Sequence, residues 1–184
     1  MESFFLVPGE ALRSAGLAEG MKVADLGCGG GFFARAAARA VAPAEVWAVD
    51  PNREILSRVK NLALGEGLHN VEVLSGTPQA SNLPAGRFDV VIVANTLFAE
   101  APEERGAVAG EAHRLLRRGG KVVVIDWSGS HGGLGPHPNH IVEEKVARAL
   151  FERAGFGWER ALPAGSYHWG ALFKKGGHSI KKVQ

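Results

Sequence analysis

The chain of 184 residues is 46% hydrophobic and 22% charged, and its formal net charge is +2. These proportions are typical of a single soluble globular domain, and so small a net charge, with no basic stripe, argues against a nucleic-acid partner. No apolar run reaches the roughly 18 residues that a membrane-spanning helix needs, and the N-terminus lacks the basic segment of a signal peptide. The single cysteine, Cys28, excludes an internal disulfide and favours a cytoplasmic location.

Strand-like and helix-like segments alternate along most of the chain, which predicts an α/β fold with a mostly parallel sheet and helices on both faces. The first five strands are predicted at 21–26, 45–49, 71–74, 88–93 and 121–127. The helices are predicted at 10–16, 32–42, 53–64, 102–118 and 141–154. Two last strands, 157–162 and 167–174, are joined by so short a turn that the last strand must run antiparallel.

Residues 128–139, which follow the fifth strand, contain four glycines, two prolines and two histidines and show no apolar period. This composition predicts a long surface loop, and loops of that length inside a compact domain are commonly functional. His113 lies in the middle of a predicted helix and is interpreted as structural. Several aromatic side chains at helix and strand spacings are expected in the core: Phe32, Phe33, Trp47, Phe151, Phe156 and Trp158.

Residues 25–31, with the sequence Asp-Leu-Gly-Cys-Gly-Gly-Gly, join the first strand to an alanine-rich helix. A strand, a glycine turn and a helix can hold a nucleotide against the helix N-terminus. The dinucleotide fingerprint G-x-G-x-x-G would need a glycine at the position of Phe32, so this loop departs from it. Asp50 ends the second strand, where a carboxylate is placed either to accept two ribose hydroxyls or to cap the turn before Pro51.

The pattern D-x-G-x-G-x-G of residues 25–31 resembles motif I of the class I S-adenosylmethionine (SAM) dependent methyltransferases. The resemblance covers about residues 10–175, and Ile125-Asp126-Trp127 resembles the small ubiquinone/menaquinone C-methyltransferase-like group. It implies a Rossmann-like sheet of seven strands in the order 3-2-1-4-5-7-6, in one methyltransferase domain at residues 1–175. The implied cofactor is SAM, with S-adenosylhomocysteine (SAH) as product, and residues 176–184 are expected to form a flexible tail.

The resemblance also implies which residues hold the cofactor. Asp25 would hold the glycine loop and the methionine end of SAM, and Asp50 would hold its ribose. Thr77 stands where the family usually has an acidic residue at the adenine, and the exit of the fourth strand meets the methionine portion. The expected cofactor contacts are Asp25, Gly27, Cys28, Gly29, Gly31, Asp50, Pro51, Gly76, Thr77, Ala94 and Asn95.

Methyl transfer from a sulfonium is an in-line displacement, which needs alignment and the exclusion of water more than a dedicated catalytic residue. The acceptor is expected at the carboxyl ends of the fourth and fifth strands. Its candidate contacts are Phe5, Phe98, Trp127 and His131, with Phe4, Tyr167 and His168 near them. Several relatives carry a histidine at the position of Phe98, so His131 and His137 are the candidates for a general base, with solvated loop histidines as the alternative. Their spacing with His140 fits no zinc pattern, and no metal is expected.

The preferred interpretation is a methyltransferase for a small, apolar or aromatic acceptor. One alternative is a nicotinamide-dependent oxidoreductase, which Phe32 and the lack of a lysine four residues after Tyr167 both oppose. Another is a non-catalytic SAM-binding or interaction protein, which the departures at Thr77 and Phe98 would suit. The acceptor pocket is expected to be open, closed by the 128–139 loop, or completed by a second subunit in a homodimer.

Overall fold

Seven strands form one sheet in the computed structural model, which describes residues 5–176. The strands are β1 (Val23–Leu26), β2 (Val46–Asp50), β3 (Val71–Ser75), β4 (Phe88–Ala94), β5 (Leu116–Trp127), β6 (Phe156–Ala161) and β7 (His168–Lys175). Their order across the sheet is 3-2-1-4-5-7-6. Strands β1 to β5 pair in parallel, and β7 runs antiparallel to both β5 and β6. The expected strand order and the antiparallel last strand are confirmed.

Helices cover both faces of this sheet. They are α1 (Pro8–Ser14), α2 (Phe32–Val41), α3 (Arg53–Gly65), α4 (Arg105–Leu115) and α5 (Glu144–Arg153), with short 3₁₀ turns at Leu97–Ala99 and Pro138–His140. Helices α1, α2 and α3 pack on one face, together with Val23, Ile92 and Ile125. Helices α4 and α5 pack on the other face, against Leu26 and Val124. Because both faces are covered, β1 and β4 are apolar runs instead of alternating ones.

Three helices differ from the sequence prediction by more than one residue, and the first of them spans Pro8–Ser14 instead of 10–16. The helix predicted at 102–118 spans only Arg105–Leu115, and β5 begins at once with Leu116. Leu116 is fully buried and pairs with Phe88, so packing on the sheet pulls it into extended backbone before the glycines at 119 and 120 are reached. The last helix begins at Glu144 and not at residue 141.

The core prediction for aromatic residues holds for Phe33, Phe151 and Phe156, which are buried. It is wrong for Phe32 and Trp158, which are 67% and 38% exposed. Each exposed ring lies under a guanidinium group instead: Arg35 is 5.4 Å from the Phe32 ring centre and Arg148 is 4.9 Å from that of Trp158. Trp47 is half-buried against the α4 face of the sheet. Phe4 and the tail at 177–184 lie outside the described residues.

Candidate cofactor and acceptor site

The glycine loop turns between β1 and α2 at the carboxyl edge of the sheet. Gly27 and Gly31 have φ angles of 72° and 70°, a left-handed conformation that side chains disfavour. A Cβ on Gly31 would lie 2.7 Å from the Val59 side chain, and one on Gly27 would lie 3.0 Å from Thr96. Glycine at these positions therefore lets the loop pack closely on its neighbours and leaves its backbone open to a ligand.

The carboxylate of Asp50 ties the loop to the second strand. One oxygen accepts the backbone N–H of Gly29 at 3.1 Å, and the other accepts the N–H of Asn52 at 2.9 Å. An ionised carboxylate offers about four lone-pair positions, so both oxygens retain capacity for ribose hydroxyls. The turn-capping role and the ribose role, alternatives at the sequence level, are thus compatible in one side chain.

Asp25 lies at the floor of the site and is 2% exposed. Burial raises its pKa from 3.8 to about 7, the nearby Asp50 adds to the rise, and the backbone amide of Ala34 offsets part of it. Its Oδ2 atom is buried without a hydrogen-bond partner among residues 5–176. A buried carboxylate oxygen without a partner fits a ligand that brings a positive charge or a donor to it.

Asn95 terminates β4 with a positive φ of 53°, and its Oδ1 is likewise buried without a partner in the described part of the chain. Its backbone N–H donates to the carbonyl of Ile125, which fixes the exit of β4 against β5. A cavity of about 320 Å³ opens between this exit and the glycine loop. Its lining includes six of the expected contacts, Asp25, Gly27, Cys28, Gly29, Ala94 and Asn95, and also Leu6, Pro8, Gly30, Phe32 and Phe33.

The remaining expected contacts lie around this cavity without lining it. The Asp50 carboxylate accepts the N–H of Gly29, which lines the cavity, and Gly31 belongs to the same loop. The N–H of Gly76 donates to the Asp50 carbonyl at 3.3 Å. Pro51 and Thr77 are exposed. The Thr77 hydroxyl accepts the N–H of Ala80 at 3.1 Å, within a tight turn at 77–80.

Cys28 is buried in the cofactor cavity. Burial, together with the charges of Asp25 and Asp50, raises the pKa of its thiol far above the usual value. A protonated thiol is a poor nucleophile and a poor metal ligand. Cys28 is present in the loop because its small side chain lets the loop close.

Five rings at the carboxyl end of β5 form what we call the aromatic cluster: Phe5, Trp127, His131, Tyr167 and His168. The Tyr167 ring lies 5.9 Å from Phe5 and 4.9 Å from His131, and the Trp127 ring lies 4.3 Å from His168. Three of the four expected acceptor contacts, Phe5, Trp127 and His131, belong to this cluster. Sequence reasoning expected Trp127 and His131 at this edge because β5 ends there, and Phe5 because the N-terminal segment can fold over it.

Among the described residues, the other two acceptor candidates make no ring contact with the aromatic cluster. Phe98 lies in the 3₁₀ turn after β4, where its N–H donates to the buried carboxylate of Asp126. His137 is exposed, and its Nδ1 accepts the N–H of Asn139. Within residues 5–176 no group of three or more His, Cys, Asp or Glu side chains is placed to hold a metal ion. No helix in that range is long and apolar enough to span a bilayer.

A seven-stranded sheet in this order, with a glycine loop after β1 and an acid at the end of β2, is the fold of the class I SAM-dependent methyltransferases. Residues 23–120 match the family described as methyltransferase domain, and the chain belongs to that family. A SAM-dependent methyltransferase from Aquifex aeolicus is similar in crystal structure, with a TM-score of 0.83 and 27% identity over 92% of this chain and 90% of that chain. The cofactor is SAM, and the orphaned oxygen of Asp25 and the acceptor capacity of Asp50 fit it.

Two curated relatives are similar over part of their length. An arsenite methyltransferase of Halobacterium salinarum is 34% identical over 61% of this chain and 28% of its own length. A ubiquinone/menaquinone biosynthesis C-methyltransferase of Cupriavidus necator is 31% identical over 64% of this chain and 47% of its own length. The chain therefore spans less than half the length of these relatives.

Proposed function

We propose that this protein transfers the methyl group of SAM to a small acceptor with an apolar or aromatic face. The observation that carries the proposal is the pairing of two features at one edge of the sheet. One is the cavity at the glycine loop, with the unpartnered Asp25 oxygen on its floor. The other is the aromatic cluster at the end of β5.

The residues that line the cavity would bind SAM and orient it. SAM supplies an electrophilic methyl group on a positively charged sulfur. Asp25 offers its carboxylate to the positive charge of the methionine end, and Asp50 offers lone pairs to the ribose. Leu6 and Pro8 close the cavity from the N-terminal side and exclude water from it, which favours displacement at a charged centre.

The aromatic cluster favours a small acceptor that presents a flat or apolar surface. Aromatic side chains bind such surfaces through stacked or tilted ring contacts, and the cluster offers several ring faces. An arsenite acceptor is not expected, because arsenic(III) binds to thiolates and the single cysteine of this chain keeps its proton. A nucleic-acid acceptor is not expected either, since the net charge is only +2.

Calorimetric titration with SAM, SAH and NADH in turn tests the proposal. Micromolar binding of the two sulfur nucleotides and none of NADH is the expected result. Binding of NADH alone would move the protein to the oxidoreductases. SAM binding with no conversion of SAM to SAH in the presence of any acceptor would leave a non-catalytic SAM-binding protein. A homodimer and a cytoplasmic location stay predictions, of which light scattering on the purified protein checks the first.

A further inference from the structure

His168 is a half-buried side chain that does not line the cavity at the glycine loop. It opens β7 directly opposite Trp127, the last residue of β5, and the two rings are tilted by 35° at a centroid distance of 4.3 Å. Both imidazole nitrogens are buried, and neither has a hydrogen-bond partner among residues 5–176. Buried polar atoms are almost always paired, so an imidazole with two unpaired nitrogens points to a ligand group that binds there.

The register of the sheet places His168 close to the cofactor cavity. Ala94, which lines that cavity, pairs with Ile125, and Trp127 follows two residues later on the same face of β5. His168 then lies across one further strand, so about two strand spacings, ~10 Å, separate it from the exit of β4. His168 and the cavity therefore lie at the same edge and on the same face of the sheet, close enough for one small molecule to reach both.

The cavity and the aromatic cluster also share a wall. Leu6 lines the cofactor cavity, and the preceding residue, Phe5, contacts the ring of Tyr167. The backbone of these two residues lies against Gly165 in the turn before β7, where a Cβ would come within 2.7 Å of it. Two consecutive residues of the N-terminal segment therefore connect the cavity at the glycine loop to the aromatic cluster.

The charge state of His168 suits a proton acceptor. Burial lowers the pKa of this imidazole below its usual 6.5, and the neighbouring His131 adds to the effect. A neutral ring at pH 7 carries one nitrogen that accepts a hydrogen bond. The loop histidines are engaged otherwise: His131 Nε2 lies 3.4 Å from the Ser128 hydroxyl, and His137 Nδ1 accepts a backbone N–H.

We propose that His168 is the polar contact of the methyl acceptor, and that its ring nitrogen accepts the hydrogen bond of a nucleophilic O–H or N–H group and then takes its proton. This inference rests on the proposed methyltransferase function. The electron pair of the nucleophile forms the bond to the methyl carbon, and the carbon–sulfur bond breaks with its pair left on sulfur. The proton moves from the nucleophile to the imidazole, which later releases it to solvent.

Access to His168 requires part of the aromatic cluster to move. Phe5 is 64% exposed, and His131 belongs to the loop that follows β5, so both rings are carried by segments outside the sheet. His168 and Trp127 are held by the antiparallel pairing of β7 with β5. The acceptor would thus displace one of these two rings and bind against Trp127 and His168, which the sheet keeps in position.

Phenol, the smallest planar molecule with an acidic O–H, is the probe for this site. The protein is saturated with SAH, its histidine rings are labelled with ¹⁵N, and phenol is titrated to millimolar concentrations. We expect phenol to shift the His168 ring resonances, and His168→Phe, which retains the stacking on Trp127, to weaken phenol binding about tenfold or more. His168→Gln, which restores an acceptor atom, should recover part of the affinity. His69→Phe, at an exposed histidine outside the site, should bind phenol like the unaltered protein.

Three results would overturn the inference: equal phenol binding by His168→Phe, binding that leaves the His168 resonances in place, and no binding to the unaltered protein. SAH affinity, measured on the same samples, separates this failure from that of the proposed function. If SAH binds but neither phenol affinity nor the His168 resonances depend on phenol contact with His168, only the proposed role of His168 fails. If SAH does not bind, the methyltransferase proposal itself fails. Unchanged SAH affinity in the variants also shows that they are folded.

Discussion

Replacing Asp50 by alanine should weaken SAH binding without unfolding the protein. The carboxylate accepts the N–H groups of Gly29 and Asn52, and we expect its remaining lone pairs to accept the ribose hydroxyls. Hydrogen bonds to a charged group contribute about 1.5–3 kcal/mol, which corresponds to a loss of roughly 10- to 150-fold in affinity. Asp50→Asn, which keeps one acceptor oxygen, should lose less. Calorimetric titration with SAH measures both variants.

Asn52→Ala is the matched control for this experiment. The Asn52 side chain caps α3 by accepting the N–H groups of Glu54 and Ile55, so its loss should reduce stability by about 1 kcal/mol and leave SAH affinity unchanged. If Asp50→Ala bound SAH within about twofold of the unaltered protein, a ribose contact at Asp50 would be refuted, because twofold is well below one hydrogen bond.

Three further predictions concern stability. Gly31→Ala should lower the free energy of unfolding by about 1–3 kcal/mol, because φ is 70° there and a Cβ would meet Val59 at 2.7 Å; Gly29→Ala, with open space at its Cβ, should lower it less in urea titrations. Burial raises the pKa of Asp25 from 3.8 to about 7, so between these pH values the side chain is protonated in the folded state and ionised in the unfolded state. The free energy of unfolding should therefore fall by up to ~4 kcal/mol from about pH 4 to pH 7, and Asp25→Asn should flatten that fall. Asp126→Ala should cost about 2–4 kcal/mol in thermal unfolding, because two backbone N–H groups would lose their acceptor.

Each of these has an outcome that contradicts it. Equal losses in Gly31→Ala and Gly29→Ala would show that crowding by Val59 does not matter. Some pH dependence should survive in Asp25→Asn, because burial also raises the pKa of Asp126, to about 6. A pH profile identical to that of the unaltered protein would show that Asp25 is already ionised in the folded state.

The alternation of strands and helices predicts a mostly parallel sheet, and the resemblance of residues 25–31 to motif I supplies the order of its strands. The start of β5 could not be predicted, since Gly119 and Gly120 resemble a helix stop and only the burial of Leu116 decides otherwise. The exposure of Phe32 was missed for a related reason. Its spacing suits a core position, but it is the first residue of α2 and its ring lies under Arg35.

The candidate site could be predicted where residues lie in the glycine loop or at the ends of strands. Asp25, Gly29 and Asn95 follow from the loop and from strand ends, and all three line the cavity. Leu6 and Pro8 carry no such signal, because their place depends on how the N-terminal segment packs against a turn some 160 residues away. The sequence also places His168 near the acceptor, but only the structure shows that both of its nitrogens are unpaired.

The antiparallel direction of β7 divides the two binding tasks between different parts of the chain. Since β7 begins where β5 ends, its first residues reach the same edge as the glycine loop. Every residue that lines the cofactor cavity beyond the N-terminal segment falls within residues 23–120, the part that matches the family. Every member of the aromatic cluster falls outside it. If the aromatic cluster binds the acceptor as we propose, substitutions that change acceptor selectivity can accumulate in this protein while the residues around the glycine loop stay unchanged.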